Sequence, residues 1–110
     1  MNDTAPRSSS ARSEAPRTDP APARVGVLGG GRMGAGIAHA FLLAGSRVTV
    51  IERDASSAQA ARARVIDSIR RSVERDSSLD EPELVGRLTT GDDLAAFAAV
   101  DLVIEAVPED

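Results

Sequence analysis

From residue 24 to residue 34 the chain reads Arg-Val-Gly-Val-Leu-Gly-Gly-Gly-Arg-Met-Gly. The apolar run at its start is typical of a buried strand. Gly29, Gly31 and Gly34 then follow the G-x-G-x-x-G spacing, which lets a backbone turn tightly out of a strand, approach a diphosphate and pack the next helix against a sheet. The stretch therefore predicts a strand, a phosphate-binding turn and the start of a helix.

The residues after the glycines supply the context that this spacing requires. Ile37, Phe41 and Ala44 are apolar at helical intervals, small residues lie between them, and Gly45 ends the segment. The first amides of such a helix have no partner within it, and the helix dipole places about half a positive charge at that end. We therefore expect the main chain to bind a diphosphate without a lysine, which this sequence lacks.

An acidic residue follows the second predicted strand, residues 47–51. Glu52 comes 18 residues after Gly34, where the dinucleotide fingerprint has an acid that binds the adenosine ribose. A 2′-phosphate about 4 Å from this carboxylate would be repelled by roughly 1–4 kcal/mol, which favours NAD over NADP. Two alternatives stay open: Arg53 offers a guanidinium for a phosphate, and Glu52 could be an ordinary solvated acid at a strand end.

Strands and helices alternate through the remainder of the chain. Apolar residues at Ala61, Val65, Ile69 and Val73 predict a long helix over about residues 57–75, which Asp54, Ser56 or Ser57 can cap. A short helical turn ending at Gly86, a strand over residues 87–90, a short helix capped by Asp92 and a last strand over residues 101–107 follow. This order predicts an α/β fold with a Rossmann-type doubly wound parallel sheet of strand order 3-2-1-4, and a ligand crevice between strands 1 and 4.

Composition limits the other possibilities. The chain has 110 residues, 42% of them hydrophobic, which suits one domain of modest core over residues 24–110. Residues 1–23 are rich in proline, serine and charge, and we expect a disordered tail there. With no cysteine and a single histidine, His39, we expect no metal site of those ligands.

Charge and hydropathy bear on partners and location. The net charge of −4 and the 2% aromatic content do not favour nucleic acid. No apolar stretch reaches membrane-spanning length and the N-terminus lacks a secretion signal, so we expect no membrane partner and a cytoplasmic location. The long helix carries arginines on its other faces, which either form a solvated surface or face substrate phosphates; they are Arg62, Arg64, Arg70, Arg71 and Arg75.

Two segments together carry a family resemblance. Val-Gly-Val-Leu-Gly-Gly-Gly-Arg-Met-Gly-Ala-Gly-Ile-Ala-His at residues 25–39 and Asp-Leu-Val-Ile-Glu-Ala-Val-Pro-Glu-Asp at residues 101–110 resemble the N-terminal NAD-binding domain of the L-3-hydroxyacyl-CoA and 3-hydroxybutyryl-CoA dehydrogenases. The resemblance implies NAD as cofactor and acyl-CoA as substrate. It implies cofactor contacts at Gly29, Gly30, Gly31, Arg32, Met33, Gly34, Glu52 and Glu109, and CoA contacts at Ser68 and Arg75.

The resemblance also implies where the chemistry lies. In this family a histidine held by a glutamate removes the proton of the 3-hydroxyl, and both residues follow the fourth strand, beyond Asp110. We therefore assign no catalytic residue here, His39 included, and expect the 110-residue chain to lack dehydrogenase activity. A homodimer is expected only for the full-length form of the family.

Other functions share part of the pattern. An FAD-binding domain has the same glycines and the same acid after the second strand, so the first half of the chain does not distinguish it. A nucleotide-binding module without catalysis, or a domain completed by a partner chain, also fits. Among dehydrogenases, related hydroxyacid enzymes that act on acyl-carrier-protein or sugar-acid substrates remain alternatives.

Overall fold

The computed structural model describes residues 20–107. Most of the predicted tail, and the predicted cofactor contact Glu109, lie outside the described residues. The elements follow in the order β1 (Arg24–Leu28), α1 (Arg32–Leu43), β2 (Arg47–Ile51), α2 (Ala55–Arg75), α3 (Glu81–Gly86), β3 (Leu88–Gly91), a 3-10 helix (Leu94–Ala99) and β4 (Leu102–Glu105). The predicted alternation of strands and helices is confirmed.

Two helix starts differ from the sequence-based prediction because of capping. α2 begins at Ala55, two residues earlier than predicted, since the carboxylate of Asp54 accepts the backbone N–H of Ser57 at 2.7 Å. The 3-10 helix is capped by Asp93, whose carboxylate accepts the N–H of Ala95 at 2.9 Å, and not by Asp92 as predicted. Two neighbouring aspartates have the same tendency to cap a helix, so only the backbone conformation decides which of them does so.

The sheet is parallel, and its strand order β3-β2-β1-β4 is the predicted 3-2-1-4. Leu28 pairs with Ile51 of β2 and with Glu105 of β4, and Ile51 pairs with Gly91 of β3. All four strands therefore end at one edge, and the segments that follow them meet there. The strand order reverses at β1, so this edge holds the crevice typical of doubly wound folds.

The core lies between the sheet and the helix pair α1 and α2. The central strands contribute Val25 and Val27 of β1 and Val48, Val50 and Ile51 of β2, and α2 contributes Ala61, Val65 and Ile69 as predicted. Val73 is only partly buried, and Ser72 takes the buried position in the last turns of α2. A spacing of four residues exceeds the 3.6 residues of a helical turn, so a stripe of that spacing drifts around the helix.

α1 is held close to the glycine loop because residue 34 has no side chain. A Cβ atom at Gly34 would overlap the carbonyl oxygen of Gly29. A Cβ atom at Gly36, two residues further along the helix, would meet nothing within 4 Å. The absence of a side chain at Gly34 therefore permits close packing against the loop, whereas the space around Gly36 would admit a side chain.

Within residues 20–107, no helix is both long and apolar enough to cross a membrane. β4 lies at the edge of the described sheet, and its Leu102 and Val103 side chains are 40% and 46% exposed.

The Gly34 contact predicts opposite outcomes for two alanine substitutions. Gly34→Ala should lower the free energy of unfolding by about 1–3 kcal/mol, because backbone must move to admit the methyl group. Gly36→Ala should raise it by about 0.5–1 kcal/mol, since alanine is the better helix former. Urea denaturation of the cofactor-free chain measures both, and equal effects at the two positions would contradict the close-packing role of Gly34.

Candidate functional site

The glycine loop forms the junction between β1 and α1. Gly29 has a φ of +100°, a conformation that residues with side chains rarely adopt, and its N–H donates to the carbonyl of Ile51 at 2.9 Å. A Cβ atom there would lie 2.9 Å from the carbonyl oxygen of Ala106. The loop is therefore held between the ends of β2 and β4, at the predicted position.

The N-terminus of α1 is open at the loop. Gly31 is its N-cap, and a Cβ atom at that residue would meet nothing within 4 Å. Without a side chain at the cap, none lies between the first amides of α1 and a ligand. Free amides and the helix dipole favour an anion at such an end, and the binding of a diphosphate here stays a prediction.

Glu52 points at this loop from the end of β2. Its Oε2 accepts the N–H of Gly30 at 2.5 Å, and its Oε1 lies 3.2 Å from the backbone nitrogen of Arg53. The side chain is half-buried. The predicted meeting of the acid and the glycine loop is therefore present in the structure, while its contact with a ribose stays a prediction.

A cavity of about 590 Å³ opens in front of the loop. Ligand pockets commonly have volumes of about 300–1,000 Å³, so this cavity is large enough for part of a dinucleotide. Its walls come from the loop, from the ends of the strands, from α2 and from the start of the 3-10 helix, and they include Gly29, Gly31, Glu52, Arg53, Arg64, Asp92 and Val107.

The predicted contacts Arg32 and Met33 differ from the glycines beside them. Both begin α1, both side chains are exposed, Met33 by 69%, and neither lines the cavity. Only their main-chain amides belong to the open first turn of α1, and their contacts with a cofactor stay a prediction. Glu109 lies outside the described residues, and Val107, the last described residue, lines the cavity.

Sequence reasoning missed the specific position of Arg64. Its Nη1 donates to the carbonyl oxygen of Gly30 at 2.9 Å across 34 residues of sequence, and its side chain lines the cavity. The sequence placed it in a mixed set of helix arginines. Ser57, Ala60 and Arg64 follow one another at intervals of three and four residues, which places them on one face of a helix. This spacing could have indicated that Arg64 faces the cavity with the other two residues, which also line it.

The predicted CoA contacts Ser68 and Arg75 lie outside this cavity, further along α2. Arg71 contacts the first of them: its Nη2 is 3.3 Å from the Oγ of Ser68, and its Nη1 forms an ion pair with Asp67. Arg64 and Arg75 are separated by roughly 16 Å along the helix axis at 1.5 Å per residue. One side of α2 thus runs from the cavity to the predicted CoA contacts.

His39 faces α2 from α1. Its Nε2 lies 2.8 Å from the Oγ of Ser72, a hydroxyl in the buried interface between the two helices. Burial lowers the pKa of His39, and the nearby guanidinium groups of Arg75 and Arg71 lower it further. The neutral imidazole is therefore the form that the folded chain favours.

This lowered pKa makes stability depend on pH. The unfolded chain binds the proton of His39 more tightly than the folded chain does. Neutral His39 therefore adds to the free energy of unfolding above the ordinary histidine pKa of about 6.5. This stabilisation is lost as the pH falls from that value towards the lowered pKa of the folded chain. We expect the unfolding free energy to decrease more for the unsubstituted chain than for His39→Gln between about pH 7.5 and pH 5. Chemical denaturation at several pH values tests this, and parallel pH curves would contradict it.

Comparison with known proteins agrees with this geometry. Residues 24–110 match the family model described as 3-hydroxyacyl-CoA dehydrogenase, NAD binding domain. A 3-hydroxybutyryl-CoA dehydrogenase of Mycobacterium tuberculosis is 40% identical over 89 residues, which cover 79% of this chain and 31% of that protein. The chain therefore spans about a third of the length of this relative.

Solved structures show the same relation. The crystal structure of M. tuberculosis FadB2 superposes with a TM-score of 0.74 at 40% identity, covering 82% of this chain and 32% of the other. The (S)-3-hydroxybutyryl-CoA dehydrogenase PaaH1 from Ralstonia eutropha gives 0.73 at 28% identity, covering 81% and 32%. With its doubly wound sheet, its glycine loop and the match over residues 24–110, the chain belongs to the NAD-binding domain family of the 3-hydroxyacyl-CoA dehydrogenases.

Proposed function

We propose that this chain supplies the NAD site of an enzyme that oxidises L-3-hydroxyacyl-CoA to 3-ketoacyl-CoA, with transfer of a hydride to NAD and release of a proton. The observation that carries the proposal is the contact between Glu52 and the N–H of Gly30 at the mouth of the cavity. It joins the ribose-binding acid and the phosphate loop of the fingerprint in one crevice. The family match to an NAD-binding domain favours NAD over the FAD alternative.

The diphosphate would bind to main chain. Gly31 leaves the N-terminus of α1 uncovered, and the amides of Arg32, Met33 and Gly34 follow it in the first turn. Amides at this end of a helix have no intrahelical acceptor, so they are available to phosphate oxygens. The glycine at position 31 matters because any side chain would stand between these donors and the phosphate.

The adenosine ribose would bind to Glu52. Its Oε2 already accepts the N–H of Gly30, so we expect its Oε1 to accept from the ribose hydroxyls, and its charge would oppose a 2′-phosphate. Arg53 is the residue that could reverse this preference, but its Nε lies 3.6 Å from the carboxylate of Asp54. Exposed ion pairs of this kind contribute little, so the proposed choice of NAD rests on Glu52 and on the family match.

The acyl-CoA substrate would lie along α2. Ser68 and Arg75 are two helical turns apart on the side of α2 that continues from the cavity, and Arg71 adds a second guanidinium between them. Guanidinium groups bind phosphates, which a CoA molecule carries. We assign no residue of this chain a catalytic role, and His39 is engaged with Ser72. The homodimer of the full-length form and the cytoplasmic location stay predictions.

Gly31→Ala tests the phosphate loop. The methyl group would enter open space in the cofactor-free chain, so we expect an unchanged melting temperature. It would obstruct the phosphate, so we expect NAD affinity to fall by about tenfold or more, which is about 1.4 kcal/mol. Calorimetric titration measures this, with Gly36→Ala as the matched control in the same helix. Equal affinity of Gly31→Ala and the control for NAD would contradict the proposed loop contact.

Glu52→Gln tests the choice between NAD and NADP. Loss of the negative charge should reduce the preference for NAD over NADP by about tenfold. A change of this size lies within the roughly 1–4 kcal/mol by which two like charges about 4 Å apart repel each other. The ratio of the two dissociation constants is the quantity to measure. Glu74→Gln, on the exposed part of α2 and outside the cavity, is the control of equal charge change. An unaltered ratio in Glu52→Gln would remove the ribose-binding role.

A further inference from the structure

We propose that Arg64 is a positioning residue for the cofactor: it fixes the carbonyl of Gly30 and thereby holds the phosphate loop in its binding arrangement. The inference rests on the proposed NAD site and deepens it. It assigns a role to one arginine of α2 that sequence reasoning had left within a mixed surface set.

Gly30 is held from two sides by oppositely charged residues. Glu52 accepts its N–H at 2.5 Å, and Arg64 donates to its carbonyl at 2.9 Å. The two side chains come from β2 and α2, and both line the cavity. Both bonds involve a charged group, and such hydrogen bonds are stronger than neutral ones.

The loop also lies directly against α2. Gly30 is buried, and a Cβ atom there would overlap the Cβ of Ala61 and lie 3.2 Å from a methyl group of Val50. Arg64 follows Ala61 by three residues, so its side chain leaves the same face of the helix. Helix and loop are thus close enough for one guanidinium to connect them.

The geometry of the peptide group explains why this bond matters. A peptide unit is planar and trans, so the direction of the Gly30 carbonyl also sets the direction of the Gly31 N–H. Three consecutive glycines have more backbone freedom than other residues, and an unrestrained loop would lose that freedom when the diphosphate binds. Arg64 restricts the loop before the ligand arrives, which favours binding.

The matched control is on the same helix. Arg62 also donates to a backbone carbonyl, that of Leu88 at 3.3 Å, but it does not line the cavity. Arg64→Met and Arg62→Met remove equal charge and equal donors while keeping most of the aliphatic stem. Any effect of helix charge or packing should therefore occur in both variants.

The experiment compares the binding of NAD, ADP and adenosine to the two variants and the unsubstituted chain. We expect Arg64→Met to weaken NAD and ADP by about tenfold and adenosine by less than twofold, because the loop contacts the diphosphate. Arg62→Met should leave all three affinities within twofold. Three results would overturn the inference. The two variants could lose the same affinity for NAD, Arg64→Met could lose the same affinity for adenosine as for ADP, or Arg64→Met could bind NAD as the unsubstituted chain does.

A measurement without cofactor separates this inference from the proposed function. In ¹⁵N-resolved NMR spectra, Arg64→Met should shift the amide signals of Gly30 and Gly31 and speed hydrogen exchange at Gly30, whereas Arg62→Met should not. Failure of the unsubstituted chain to bind NAD would overturn the proposed function, and the NMR result would still decide whether Arg64 holds the loop. Unshifted loop signals in Arg64→Met would overturn the inference even if NAD binds.

Discussion

Close approach between backbone segments at the glycine loop is the constraint on which the rest of the structure depends. The carbonyl of Gly29 lies where a side chain of residue 34 would be, and Gly29 itself lies against Ala106. These approaches bring α1 down onto the sheet and direct its N-terminus towards the crevice. A loop with side chains would move the helix away, and its free amides would no longer lie beside the strand ends.

The parallel sheet turns this local feature into a site. Because β1, β2, β3 and β4 pair in register up to their last residues, Glu52, Asp92 and Val107 follow their strands at the same edge. Each is distant from the glycines in sequence. Their convergence follows from strand order alone, which explains why doubly wound folds bind ligands at the position where that order reverses.

α2 contributes more than core packing. Its apolar stripe buries Ala61, Val65 and Ile69, and Arg64, next to Ala61 on the helix surface, reaches the loop at the start of a row that continues towards Ser68 and Arg75. A single helix can therefore relate the proposed cofactor site to the predicted CoA contacts through fixed distances along its axis. The same rigidity makes the loop sensitive to the identity of one helix residue.

The amino-acid sequence by itself determined the α/β order, the strand order 3-2-1-4, the glycine loop and the acid that meets it, because these features have local patterns or fixed spacings. It did not determine that Asp93 and not Asp92 caps the 3-10 helix, that Ser72 takes the buried position and pairs with His39, or that Arg64 reaches Gly30. Those outcomes depend on which helix face meets which neighbour. Side-chain contacts across 30 or more residues, such as those of His39 and Arg64, have no periodic signal along the chain, and only the tertiary packing of α1 and α2 selects them.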